Sequence, residues 1–248
     1  MKRLGIVVPY RDRADHLAAF VPHVHAYFAR DKADKNIPVR ILVVEQPPGL
    51  PFNRGLMRNV GFQILQDEID YICFHDIDYL PIWADYGYPD APSMLIWHGL
   101  EMELFSRFRQ RPSDYFAAVT LIRNEHFAAA NGFSNDYWGW GHEDRDLKLR
   151  FEAIGLKPEY RKGTFASLEH KSERYALDST GQRIRSATNE RNWNLVSSRW
   201  ATPGDDHWRR DGLNCTYFTQ IRRWIIGLPE KERDMIIEQV VVDFPNRP

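Results

Sequence analysis

The chain has 248 residues, 43% hydrophobic and 13% aromatic, enough to bury the core of one compact domain. Its 33 Lys and Arg against 34 Asp and Glu leave a formal charge of -1, which excludes the basic excess typical of nucleic-acid binders. No stretch approaches the ~20 apolar residues of a membrane span, and the apolar run before Pro9 is too short for a signal-peptide core. The expected partners are therefore small molecules, and the expected location is cytoplasmic.

The segments GIVVPY (5–10) and VRILVVE (39–45) read as buried strands. Between them Leu17, Phe20, Val21, Val24 and Phe28 recur at helical spacing, with Pro22 expected in the first turn or at a kink. Met57, Val60, Ile64 and Leu65 predict a second helix, which leads into a third strand, YICFHD (71–76). Strand and helix thus alternate over the first 80 residues, as in a parallel sheet covered by helices. YGYPDAPSM (86–94) reads as loop, DYFAAVTLI (114–122) as strand and 124–130 as a short helix. A further helix buries Leu147, Phe151 and Ile154 and ends at Gly155 in a left-handed cap. The arginine-rich segment from about 171 to 211 lacks periodicity and reads as a long loop. Cys73 and Cys215 read as buried thiols rather than a disulfide framework, in keeping with a reducing compartment.

Chemistry enters at the strand ends. Asp76 and Asp78, in HDID, directly follow a strand expected to be central, and in open α/β sheets the ligand crevice lies outside the carboxyl ends of the strands. Oxygen ligands of this kind suit Mg²⁺ or Mn²⁺. Taken alone, the pair reads more simply as an acidic turn after a strand. Arg11 and Arg13 follow the first strand, and Phe52 and Arg54 the second; guanidinium groups fit phosphate oxygens, and an aromatic face can stack on a base. Cations, an aromatic and an acid pair after successive strands point to a nucleotide diphosphate with a metal. In WGWGHEDRDLKLR (138–150), the tryptophans can pack on sugar rings, and Gly139 and Gly141 provide hinge freedom. Glu143, Asp144 and Asp146 can bind or deprotonate hydroxyls, or simply favour a helix N-terminus.

Four separated motifs, FNRGLMRNVGF, FHDIDYLP, NGFSNDYWGWGHEDRDL and DGLN (211–214), together resemble the beta-1,4-galactosyltransferases, in the same order and over roughly residues 3 to 220. VVPYRDRADHL, FVPHVHAYF and DYGYP look most like the proteoglycan-linker members, which transfer galactose to xylose. The resemblance implies a GT-A glycosyltransferase fold, an α/β architecture with a Rossmann-like nucleotide-binding sheet and an acceptor-binding part. The division expected is a nucleotide-binding half at 1–80, an acceptor-binding and lid region at 81–227, and a C-terminal extension at 228–248. The membrane anchor and stem of the Golgi members are not expected here. UDP-galactose is the implied donor, Mn²⁺ (with Mg²⁺ as the alternative) the implied metal, and a saccharide the implied acceptor, with inversion at the anomeric carbon.

By the same resemblance, Asp144 is the general base and Asp78 a metal ligand. Pro9, Arg11, Arg13, Phe52, Arg54 and Asp76 match donor-contacting positions. Trp140 matches a tryptophan that swings with the lid over donor and acceptor, and Glu143 stands beside it for sugar hydroxyls. Tyr115 stands where the family crowds out an N-acetyl group. The chain also departs from the family. The usual Glu-Asp-Asp is here Glu143, Asp144 and Arg145, so a cation occupies an acceptor-binding position, and a negatively charged acceptor is one way to accommodate it. His142 and the Ala117–Ala118 pair replace glycines and narrow the site. Of the later metal ligands, His170 is the first choice and Glu169 the substitute. Other readings remain open: transfer of another sugar such as GalNAc or glucose, hydrolysis of nucleotide sugars, or saccharide binding without turnover.

Overall fold

The computed structural model describes residues 2–30, 37–95, 116–169, 174–202, 204–227 and 235–244. β1 (Leu4–Tyr10), β2 (Val39–Glu45) and β3 (Tyr71–His75) pair in parallel and are connected through α1 (Ala14–Arg30) and α2 (Arg54–Leu65). They lie within an eight-stranded sheet of order β11-β12-β2-β1-β3-β6-β5-β7, where β5 is Ser93–Met94, β6 Val119–Arg123, β7 Glu159–Tyr160, β11 Thr219–Ile225 and β12 Met235–Asp243. β4 (Tyr79–Ala84) pairs antiparallel with β8 (Gly163–Ser167), and β9 (Tyr175–Leu177) with β10 (Arg183–Arg185). Further α-helices among the described residues are α3 (Asn124–Ala129), α4 (Glu143–Ala153) and α5 (Ala187–Arg199).

Alternation along the central strands divides the core between two layers. Ile6 and Val8 of β1 join Ile41, Val43 and Cys73 under Phe20 and Val24 of α1. Val7 faces the other way, with Leu42, Val44, Ile72 and Phe74, against Met57 and Val60 of α2. Burial on both faces is why these strands read as continuous apolar runs, and each buried aliphatic or phenyl side chain contributes ~1.5–3 kcal/mol. Gly61 sets the approach of α2 to β1: a Cβ there would run into the Val7 side chain. Both helices are thereby fixed on the sheet, with the strand ends open between them.

Several elements differ from the sequence reading. Pro22 lies in the middle of α1; without an N–H it cannot bond the Ala18 carbonyl one turn earlier. The strand expected over 114–122 begins only at Val119, because Ala118 adopts a left-handed φ of 65°; residues 114–115 lie outside the described residues. Ser93–Met94, within the segment read as loop, forms β5. The segment from 171 to 211 is not one long loop: it carries the β9–β10 hairpin and α5. The residues that α5 buries are Asn189, Asn192 and Val196, so its inward face is mostly amide and leaves no apolar stripe to detect. Residues 235–243, expected in a C-terminal extension, form β12 between β11 and β2. Among the described residues no helix is long and apolar enough to cross a membrane.

Candidate active site

A cleft of about 250 Å³ opens at the carboxyl ends of the parallel strands. Its walls are Pro9, Arg11, Asp12 and Arg13 at the end of β1, Phe52 and Arg54 before and at the start of α2, Asp76, Ile77 and Asp78 after β3, and Gly139 with Trp140. The fold therefore brings together the residues that the sequence placed after three successive strands. Arg11 donates to the Leu50 carbonyl at 2.6 Å and lies over the Phe52 ring, 5.1 Å from its centroid, so cation and aromatic form one wall. Asn53 caps α2, its side chain accepting from Leu56 N–H, and Arg54 is the first helical residue. The helix N-terminus adds its own positive partial charge to that of the arginines.

Behind this wall lies a network of acids and arginines that spans α2, β3 and α4. Arg54 Nη1 is 3.2 Å from Asp76 Oδ2, and its Nε is 2.8 Å from Glu143 Oε1. Arg58, one turn further along α2, bridges Asp76 Oδ1 at 2.8 Å and Asp144 Oδ1 at 2.6 Å. Burial opposes the charge on both arginines, but the surrounding carboxylates outweigh it and raise their pKa values. Burial likewise opposes the charge of Asp76, which Arg54 and Arg58 nevertheless hold below the usual carboxylate range. Asp144 behaves in the opposite way. Burial and the nearby Glu143 charge exceed the pull of Arg58 and Arg54, and its pKa is pushed up to about 7. Two carboxylates bridged by one guanidinium are thus split, one an acceptor fixed in the ionised form and the other poised to take up or release a proton near neutrality.

Glu143 is 2% exposed and held against Arg54, whereas Asp144 keeps a fifth of its side-chain surface. Asp146, two residues on, belongs to a different network: Arg150, Trp200 and Tyr137 surround it. Although burial opposes its charge, Arg150 with hydrogen bonds from His207 and Trp200 holds its pKa at about 2, so it anchors α4 rather than facing the cleft.

The far wall is set by the β4–β8 pairing. Tyr79 is opposite Ser167, and Leu168 N–H donates to the Asp78 carbonyl at 2.7 Å, which brings residue 169 beside the acid pair. Asp78 is 8% exposed and lines the cleft; Glu169 is exposed, and its carbonyl lies 3.2 Å from His16 Nε2. Among the described residues no group of three His, Cys, Asp or Glu side chains could hold a metal ion. His170 and Tyr115 lie outside the described residues. Ala118 sits next to the acids, its carbonyl accepting from Asp76 N–H at 2.9 Å.

The Trp-Gly-Trp segment is held from two sides. Gly139 N–H donates to the Phe52 carbonyl at 2.8 Å, and with φ +81° a Cβ on Gly139 would meet Thr188 of α5 at 2.6 Å. Asn192 of α5 donates to the carbonyls of Trp138, Trp140 and Gly141 at 3.1–3.3 Å. His142 takes a left-handed φ of 74°, the conformation a glycine would favour, and its Nε2 lies 2.9 Å from Asn189 Oδ1. Arg145 is exposed and projects not into the cleft lining but over Trp193 of α5, at 4.9 Å.

Sequence reasoning missed Arg58 and the asparagines of α5. Arg58 did leave a signal: a lone cation between Met57 and Val60 on the apolar face of a helix, four residues after Arg54. α5 offered only asparagines in a polar tract.

Family models match two stretches: residues 1–88 fit the N-terminal region of glycosyl transferase group 7, and residues 101–173 the N-terminal domain of galactosyltransferase. The chain belongs to the beta-1,4-galactosyltransferase family. Beta-1,4-galactosyltransferase 7 of Drosophila melanogaster is 36% identical over 70% of this chain and 53% of its own length; the Mus musculus protein of that name is 36% identical over 62% and 45%. Beta-1,4-galactosyltransferase 4 of Mus musculus is 33% identical over 98% of this chain and 64% of its own. The chain spans about half the length of the first of these curated relatives. The solved catalytic domain of Drosophila beta-1,4-galactosyltransferase 7 superposes with a TM-score of 0.72 at 25% identity, covering 98% of this chain and 94% of that one. The fold is GT-A.

Proposed function

We propose that this chain is an inverting glycosyltransferase that moves galactose from UDP-galactose to a saccharide hydroxyl, forming a β-1,4 linkage. The observation that carries this reading is the carboxylate pair bridged by Arg58: Asp76 on the donor wall, fixed as an anion, and Asp144 with a pKa of about 7. In-line displacement requires an acceptor hydroxyl to lose its proton as UDP leaves from the opposite face. Asp144 accepts that proton, and a base of this kind contributes ~10²- to 10⁴-fold. Arg11 and Arg13 bind the diphosphate, Phe52 stacks on the base, and Arg54 and Asp76 orient the donor. Trp140 covers the sugar. Glu143 holds Arg54 in place at 2.8 Å and reaches a sugar hydroxyl only when that contact opens.

The residues at the far wall fit a divalent metal. Asp78 presents a hard oxygen donor in the cleft, the β8 end lies beside it, and a diphosphate would supply further oxygens. Asp78, with His170 or Glu169, would hold Mn²⁺, which when bound neutralises charge on the departing diphosphate. In support, a mutant of Drosophila beta-1,4-galactosyltransferase 7, of this fold, has been solved in complex with manganese, UDP-Gal and xylobiose. The free thiols Cys73 and Cys215 favour a reducing compartment, and we place the activity in the cytoplasm, which cell fractionation tests.

The test is UDP release by purified protein with UDP-galactose and Mn²⁺, with and without saccharide acceptors, and with UDP-GalNAc and UDP-glucose in parallel. Galactose-selective, acceptor-stimulated release is expected. Release indifferent to every acceptor would assign hydrolysis instead, and tight UDP binding without release a retired enzyme.

A further inference from the structure

Two guanidinium groups converge on one indole beside the proposed base. Arg145 Cζ lies 4.9 Å and Arg185 Cζ 4.7 Å from the Trp193 ring centroid. Neither arginine belongs to the cleft lining, where Arg11, Arg13 and Arg54 already serve a diphosphate. A ring face accepts no directed hydrogen bond from the five N–H donors of a guanidinium, so stacking holds the cation while leaving its fork available for oxygen acceptors. Arg185 has a partner in Glu190, at 3.5 Å; among the described residues no carboxylate lies within ion-pair distance of Arg145.

The pair is fixed relative to the catalytic segment. Trp193 follows Asn192, whose side chain ties α5 to the carbonyls of Trp138, Trp140 and Gly141. The His142 ring packs edge-on against Trp193 at 5.4 Å and lies 6.4 Å from the Trp140 ring, so contacts run from the cleft through Trp140 and His142 to Trp193. Arg145 also directly follows Asp144. Arg174 lies over the Trp140 ring and Arg183 over Tyr175.

We infer that the acceptor is an anionic saccharide, and that Arg145 and Arg185 on Trp193 recognise its carboxylate or phosphate. The inference rests on the transferase reading and adds the acceptor class. The charge would sit on a sugar unit other than the one that reacts, since neither arginine lines the cleft.

The experiment uses matched acceptors: a neutral disaccharide glycoside, its uronate-terminated counterpart and its 6-phosphate. Transfer from UDP-galactose and equilibrium binding in the presence of UDP and Mn²⁺ are both measured. The wild-type protein is expected to prefer at least one anionic acceptor by about ten-fold or more in kcat/KM, and the preference should shrink between about 50 and about 300 mM salt. Arg145→Gln and Arg145→Gln/Arg185→Gln should reduce it to about three-fold or less, while Arg145→Lys keeps most of it and UDP affinity stays the same. The uronate and phosphate arms identify the anion. Equal use of neutral and anionic acceptors, or a preference indifferent to Arg145, overturns the inference and leaves the transferase reading standing. Arg145-dependent binding of an anionic saccharide without any transfer overturns the transferase reading, and with it the acceptor role, and leaves Arg145 as an anion-binding residue. Neither binding nor transfer of the anionic acceptors overturns the inference.

Discussion

Replacing Arg58 by methionine keeps much of the apolar stem inside α2 and removes the charge that joins Asp144 to Asp76. Unit charges ~4 Å apart interact by ~4 kcal/mol at an effective dielectric of 20, equivalent to ~3 pKa units. The realised shift is smaller, because Arg54 still faces the carboxylates and Asp144 keeps 20% of its side-chain surface in contact with water. We expect the Asp144 pKa, about 7 in the intact network, to rise by ~1–2 units. The base must be ionised to act, so activity rises with pH through this value, and the acidic limb of kcat/KM for acceptor moves to ~8–9. At pH 7 the ionised fraction falls from about one half to ~1–10%, which lowers transfer ~5- to 50-fold there and far less at pH ~9. The assay is acceptor-dependent UDP release from pH ~5.5 to ~10, with retained secondary structure as the control for folding. Arg58→Lys, which keeps one charge but cannot fork between two carboxylates, should fall between. A folded Arg58→Met protein whose acidic limb stays where the wild type has it would refute the electrostatic account of Asp144.

Asp144→Asn should bind UDP normally and lose ~10²- to 10⁴-fold in transfer. Its stability gives an independent check. The folded Asp144 holds its proton up to about 7 against an ordinary 3.8, so ionising it opposes folding increasingly as pH rises between those values, and constantly above. The variant should therefore exceed the wild type by ~1–2 kcal/mol in urea unfolding at pH ~8 and lose this advantage by pH ~4, the figure being reduced for the partial exposure of the side chain. A variant less stable than wild type at pH ~8 would contradict the assignment. Asp78→Ala should abolish the Mn²⁺-dependence of UDP binding measured by titration calorimetry; an unchanged Mn²⁺ effect would move the metal elsewhere. Burial lowers the pKa of His75 to about 4, so the unfolded chain binds a proton at higher pH than the folded one, and stability falls as pH drops from 6.5 through 4. That loss amounts to ~3 kcal/mol, and in His75→Gln the difference in stability between pH ~7 and ~4.5 should shrink accordingly. An undiminished difference would place the acid sensitivity in other groups.

What the sequence made legible follows from where its signals are local. β1, β2 and β3 read directly because both faces are buried, and the cleft residues read because each follows a strand end closely: Arg11 after β1, Phe52 and Arg54 between β2 and α2, Asp76 and Asp78 after β3. Arg58 was hidden because a buried charge contradicts the apolar pattern around it and makes sense only once Asp76 and Asp144, 18 and 86 residues away, are seen beside it. α5 was hidden because it packs through amides: Asn189 and Asn192 satisfy loop carbonyls and a histidine rather than filling an apolar pocket. β6 began later than expected because Ala118 turns left-handed, a backbone choice that alanine does not announce.

The placement of β12 has a consequence for how the chain reaches its native state. β2 takes its outer partner from Met235–Val241, so β2 presents an open row of N–H and C=O groups until residues 235–241 have also been synthesised. Such a long-range closure makes for slow, high-contact-order folding. A chain cut before residue 235 would leave the β2 edge, VRILVVE, free to recruit strands from its neighbours.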